Sequence, residues 1–161
     1  MLSNGAMSKK GKQMAVQRSD PYHGQNFLVD LGDGVSQGPD GAFSEVSGLE
    51  SWLEITEYRD GNQKSSSPRK IPGLAKTADV TLKRGIIGSL RLYSWFDAVR
   101  KGDTGLRTVT ITLLDEQRAP VLVWKLIRAR PVKYIGPALN ARGTDVAMEE
   151  LVLAYERLEM E

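Results

Sequence analysis

His23 is the only histidine in the chain, and there is no cysteine. A metal pair, a Cys-His couple or a Ser-His-Asp arrangement would each rest on that single imidazole. It sits beside Pro21 and Tyr22 at the start of the ordered-looking sequence, where a turn or surface role is the expectation. Glu149 and Glu150 form a carboxylate pair, but neighbours on a strand point to opposite faces and cannot flank one substrate bond. Glu45, Glu50, Glu54 and Glu57 recur without a motif, as on a solvated strand face or in ion pairs between copies. Asp30, Gly32, Asp33 and Gly34 superficially suggest a calcium loop, yet the regular oxygen spacing and closing glutamate are missing. No glycine-rich phosphate loop precedes a helix. Nothing in these residues calls for a catalytic centre, a metal or a cofactor.

Charge offers more. Residues 1–18 contain Lys9, Lys10, Lys12 and Arg18 and no acid, and residues 60–85 hold Lys64, Arg69, Lys70, Lys76, Lys83 and Arg84 against Asp60 and Asp79. The net charge is only +2, so the remainder is acidic. A basic segment on an acidic body suits charge-complementary contact between copies. The same segment is a candidate nucleic-acid surface, though no aromatics are interleaved for base stacking after Tyr58.

The elements that carry these residues are mostly strands. Length and a hydrophobic content of 40% fit one domain. No apolar run reaches the ~18 residues of a spanning helix, and the N-terminus lacks a secretory apolar core. The absence of cysteine suits assembly in a reducing cytosol. Residues 1–18 read as a flexible basic leader and 19–161 as a single domain. Period-two alternation marks strands at 25–33, 77–84, 107–113, 121–130 and 145–158. Thr108, Thr110 and Thr112 alternate with Val109, Ile111 and Leu113 and face away from them. Residues 42–58 read as one long strand pair bent at Gly48. Residues 59–76 read as a structureless loop, given three serines, Pro68, Pro72 and Gly73. Ser89 to Lys101 predicts a helix with Ser89 as N-cap and Leu92, Trp95, Phe96 and Val99 as a packing stripe. About seven strands and one helix indicate a mainly β fold, a two-sheet antiparallel sandwich or partly open barrel with one flanking helix. A bent, over-long strand pair followed by a basic loop points to self-assembly.

Nine phrases make that specific: DPY at 20–22, NF at 26–27, FSEVSGLE at 43–50, EYRDG at 57–61, PRKIPGL at 68–74, VTLKRG at 80–85, ITLLDE at 111–116, RPVKYIGPALNA at 130–141 and VAMEELVLAYE at 146–156. In this order the chain resembles the phage tail tube protein family, the T4-like inner tube proteins of contractile phage-tail-like injection systems. The resemblance implies the tail-tube fold, hexameric rings stacked into a hollow tube, and no enzymatic activity. Implied partners are further copies of the chain, a contractile sheath protein, baseplate and tube-terminator proteins, and cargo in the lumen, either protein effector or DNA. Implied localisation is assembly in the bacterial cytoplasm, then residence in a phage tail or related particle. A non-polymerising ring protein of the same fold and a nucleic-acid-binding β-barrel are the alternatives. Contact candidates within and between rings are Glu45, Gly48, Trp52, Glu54, Glu57, Arg59, Asp60, Arg69, Lys70, Lys83 and Arg84. Among them Arg69, Lys70 and Arg84 are expected to pair across copies with Glu54, Glu57 or Asp60.

Overall fold

The computed structural model describes residues 15–38 and 41–161. Lys9, Lys10 and Lys12 of the expected leader, and Pro39-Asp40 of one expected turn, lie outside the described residues. In chain order the elements are β1 (Phe27–Asp30), β2 (Glu45–Ser47), β3 (Ser51–Tyr58), β4 (Arg69–Thr77), β5 (Val80–Gly85), α1 (Arg91–Arg100), β6 (Arg107–Leu114), β7 (Pro120–Ile135), β8 (Met148–Ala154) and β9 (Arg157–Met160).

Strand β7 organises the body. It is sixteen residues long, and its two halves serve different layers. Its first half pairs with β6 on one side and β9 on the other, with β1 beyond β6. Its second half pairs with β8, followed by β5 and β2. Arg128, at φ 54°, marks the place where the strand changes layer. The two layers close on a core of Val29, Val109, Ile111 and Leu126 from one and Val80, Leu82, Leu151 and Leu153 from the other. Among the described residues the result is a mainly β fold of antiparallel strands with one helix and no closed barrel.

Helix α1 covers the core with the expected stripe. Leu92 and Trp95 are buried, and Phe96 and Val99 pack half-buried against the core cluster. Trp95 Nε1–H donates to the Gly105 carbonyl at 2.8 Å. Ser89 does not occupy the N-cap. Leu90 does, without a side-chain cap, while Ser89 Oγ accepts the Arg91 N–H from one position earlier.

Several expected boundaries move. Strand β7 continues through Pro131, which is tolerated where the β7–β8 register shifts between Pro131 and Lys133. The expected strand 145–158 divides into β8 and β9 at Tyr155 and Glu156, because the two halves join different layers. Residues 69–76, expected in a loop, belong to β4. Residues 15–18 lie against the body: Val16 N–H donates to the Val121 carbonyl, and Arg18 engages Glu116 through two hydrogen bonds of 2.9 Å. That guanidinium holds the Glu116 carboxyl down at about 2.

Arg84 corrects a further expectation. It shares the inward face of β5 with Val80 and Leu82 and is 1% exposed. Its register partner on β8 is Glu149, 4% exposed, with Arg84 Nε 2.7 Å from Glu149 Oε1. Tyr134 Oη–H donates to Glu149 Oε2 at 2.6 Å. Burial, reinforced by that carboxylate, pushes the Tyr134 hydroxyl up to about 12. On the outer face of the same strands Lys83 pairs with Glu150 at 3.3 Å. Arg84 therefore serves the core and has no surface to offer another copy.

The β3–β4 hairpin leaves the body at Gly48. Gly48 has φ +90°, and a Cβ there would collide with the Asp79 carbonyl oxygen. Beyond it, Ala78 N–H donates to the Glu50 carbonyl at 3.1 Å, which also accepts Tyr155 Oη–H at 3.4 Å. Thr77 Oγ1–H donates to the Tyr155 carbonyl at 3.1 Å. The hairpin is thus tied to the β8–β9 corner.

Two outcomes follow for the isolated chain. Gly48→Ala combines a collision with a left-handed backbone and should lower the urea midpoint by an amount equivalent to about 2 kcal/mol or more. Arg84→Met strands a buried carboxylate and should cost about 3–5 kcal/mol, most of it recovered by adding Glu149→Leu; equilibrium unfolding of both variants tests this.

Candidate assembly interface

All eight residues of β3 are exposed, as are all but the last of β4. These two strands pair only with each other. The arm is nevertheless well formed. Its register runs from Ser51↔Thr77 to Tyr58↔Arg69, with a shift between Leu53 and Ile55. Pro72 sits opposite Ile55, in an edge strand where no further ladder partner needs its missing N–H.

The tip is held by its own polar groups. Arg59 donates to the Gln63 and Ser65 carbonyls at 2.8 and 3.0 Å. Tyr58 Oη–H donates to Asp60 Oδ1 at 2.8 Å, and Arg69 lies 3.4 Å from Asp60 Oδ2. Lower down Lys76 pairs with Glu54, and Lys70 stands opposite Glu57 in register. Arg69, Glu54 and Asp60 thus have ion-pair partners inside the arm. This neutralisation leaves little of the uninterrupted positive stripe a nucleic-acid surface needs.

The apolar groups have no such cover. Directly opposed residues of an antiparallel pair share a face. One face carries Leu53 against Ala75 and Ile55 against Pro72; the other carries Trp52 against Lys76, Thr56 against Ile71 and Tyr58 against Arg69. Trp52, Leu53, Ile55, Tyr58, Ile71 and Leu74 are all exposed. Covering one aliphatic side chain of this kind gains on the order of 1–2 kcal/mol.

Gly48 lies at the arm's root, and Trp52, Glu54, Glu57, Arg59, Asp60, Arg69 and Lys70 lie within the arm. Glu45 and Lys83 stand apart, opposite each other on β2 and β5. Arg84 is buried away from all of them. Sequence reading passed over the aliphatic members, Leu53, Ile55, Ile71 and Leu74. Their signal was available as apolar residues of both parities within one segment. Outside the arm, Leu139 and Val146 are also exposed and line one cleft. His23 is exposed. Asp30 Oδ1 accepts the Gly32 and Gly34 N–H groups, and Asp33 pairs with Arg91, so these carboxylates shape a loop. Among the described residues no group of three or more His, Cys, Asp or Glu is arranged to hold a metal ion.

The chain is similar to one in the anti-feeding prophage (AFP) baseplate, a 6-fold symmetrised structure, with 30% identity and TM-score 0.78 over 89% of this chain and 97% of that one. It is similar to one in the AFP tube terminating cap, with 27% identity and TM-score 0.77 over 96% and 99%. It is also similar to one in the sheath-tube complex of the extracellular contractile injection system PVC in its extended state, with 27% identity and TM-score 0.76 over 88% and 91%. A search of curated proteins finds no match. The family model described as T4-like virus tail tube protein gp19 matches residues 24–159. The chain belongs to the T4-like virus tail tube protein family.

Proposed function

We propose that this protein is the inner tube subunit of a contractile phage-tail-like injection system. Six copies close into a ring, as the 6-fold symmetry of a similar assembly suggests. Rings stack into a hollow tube within a contractile sheath. Contraction drives the tube through a target envelope, and a protein effector or DNA passes down the lumen. Sheath, baseplate and terminator proteins are the further partners. The subunit is made and assembled in the bacterial cytoplasm before it becomes part of a phage-like particle, and its role is structural.

The observation that carries this reading is the arm with apolar side chains on both faces. A hairpin meant to stay in water would be polar on at least one face. An arm apolar on both must be covered on both, so it lies between other copies. Gly48 and the Tyr155 corner hold it extended before assembly, which reduces the entropy lost on docking. The same likeness extends to a tube terminating cap, so a ring that does not polymerise is the second reading.

Leu53→Ser combined with Ile71→Ser replaces one exposed aliphatic side chain on each face with a polar one, without touching the body's core. The variant should give a folded monomer with wild-type thermal stability and no long tubes in negative-stain electron microscopy at physiological salt. Tubes of normal length would count against the role assigned to the arm. Lone rings from the wild-type chain would favour the second reading.

A further inference from the structure

Strand β8 has no short turn to fix its pairing with either neighbour. β5 and β8 are separated by α1, β6 and β7, and residues 136–147 lie between β7 and β8. A hairpin takes its register from the turn that joins it; these pairs must take theirs from side chains. The aliphatic faces supply little. In the observed register Val80 stands opposite Leu153 and Leu82 opposite Leu151. A slip of two residues keeps every side chain on its own face. It would set Leu82 against Leu153 and Val80 against Tyr155, so apolar groups would still meet apolar groups. The β7–β8 ladder is itself irregular, with its shift between Pro131 and Lys133.

The buried charges do distinguish the registers. Arg84 stands opposite Glu149, and that carboxylate serves both neighbours of β8. Its Oε1 accepts from Arg84 on β5 at 2.7 Å, and its Oε2 accepts from Tyr134 on β7 at 2.6 Å. The same slip would set Arg84 against Leu151 and Glu149 against Ile86. Both charges are almost wholly buried, so each would lose this partner where water cannot replace it. On the outer face Lys83 and Glu150 mark the same register, but they are partly exposed, and an exposed pair discriminates weakly.

The register matters at the other end of the same strands. β5 begins at Val80, next to Asp79, whose carbonyl oxygen confines Gly48. β8 ends at Ala154, next to Tyr155, which holds the arm's root through Thr77 and Glu50. Moving β8 by two residues, about 7 Å, would carry Tyr155 away from both. We propose that the Arg84–Glu149–Tyr134 network is a register pin. It selects one pairing of β8 with β5 and β7, and through that pairing it sets the direction of the arm. The pin belongs to the folded chain alone and stands apart from the tube reading.

The chain has no cysteine, so engineered pairs report without background. Thr81→Cys with Val152→Cys joins observed register partners. Thr81→Cys with Ala154→Cys closes only after the slip, since diagonal neighbours, roughly 7–8 Å apart, are beyond the usual span of a disulfide. Each pair is placed in the otherwise natural chain and in one carrying Arg84→Met with Glu149→Leu. The reduced chains are refolded, oxidised and resolved on a non-reducing gel. The natural background should give the first disulfide only. The apolar background should remain folded and give the second disulfide in a clear fraction of chains. Arg84→Lys, which keeps a cation facing Glu149, should behave as the natural background. Trypsin should cut at Lys76 faster in slip-locked chains than in native-locked chains of the same background. The pin is overturned if the apolar background gives only the first disulfide. It is also overturned if neither Arg84→Met with Glu149→Leu nor Arg84→Leu with Glu149→Met folds, since the pair would then sustain the body rather than choose its register. Equal cleavage at Lys76 would overturn its control of the arm.

Discussion

Two strands alone bury too little surface to be stable in water, and the β3–β4 arm must meet that constraint with almost no help from the body. Its help is concentrated at the root. There Glu50 and Thr77 are bonded to Tyr155 at the corner between β8 and β9. Gly48 lets the chain leave β2 past the Asp79 carbonyl in a space that admits no side chain. At the other end the Arg59, Asp60 and Arg69 contacts close the tip. Polar bonds therefore fix the arm's shape, while its apolar side chains remain available for a partner.

The body obeys the opposite arrangement. Its aliphatic residues face inward across two layers, and even its buried charges are matched there, Arg84 with Glu149 and Tyr134. Such a pair is costly to bury and costly to break. It links β5, β8 and β7 inside the body. A body that is complete by itself can carry an arm that is complete only in company. That division suits a subunit that folds as a monomer and then adds to a growing end.

Much of this was legible in the sequence. Period-two alternation located β1, β5 and β6, the 3.6-residue stripe located α1, and the length and bend of residues 42–58 pointed to self-assembly. Strand β4 was hidden because serines, prolines and glycine are the usual marks of a loop, and here Pro72 and Gly73 occupy an uncovered edge strand. Strand β7 was cut short at Pro131 because a proline usually ends a strand, and here it sits where the β7–β8 register shifts. Arg84 was read as a surface cation, although its parity with Val80 and Leu82 placed it inside. Glu149 shares that signal with Leu151 and Leu153. Pairing two inward charges needs the β5–β8 register, which alternation alone does not supply.

The central claim is that the arm's two apolar faces are open in the monomer and covered in the assembly. Amide hydrogen exchange compared between monomer and assembled tube reads this directly, since both forms have the same folded body. The account predicts strong slowing across residues 51–77 on assembly, with little change at the core positions of β5, β6 and β8. Equal exchange of the arm in both forms, with protection gained only at other surfaces, would contradict it.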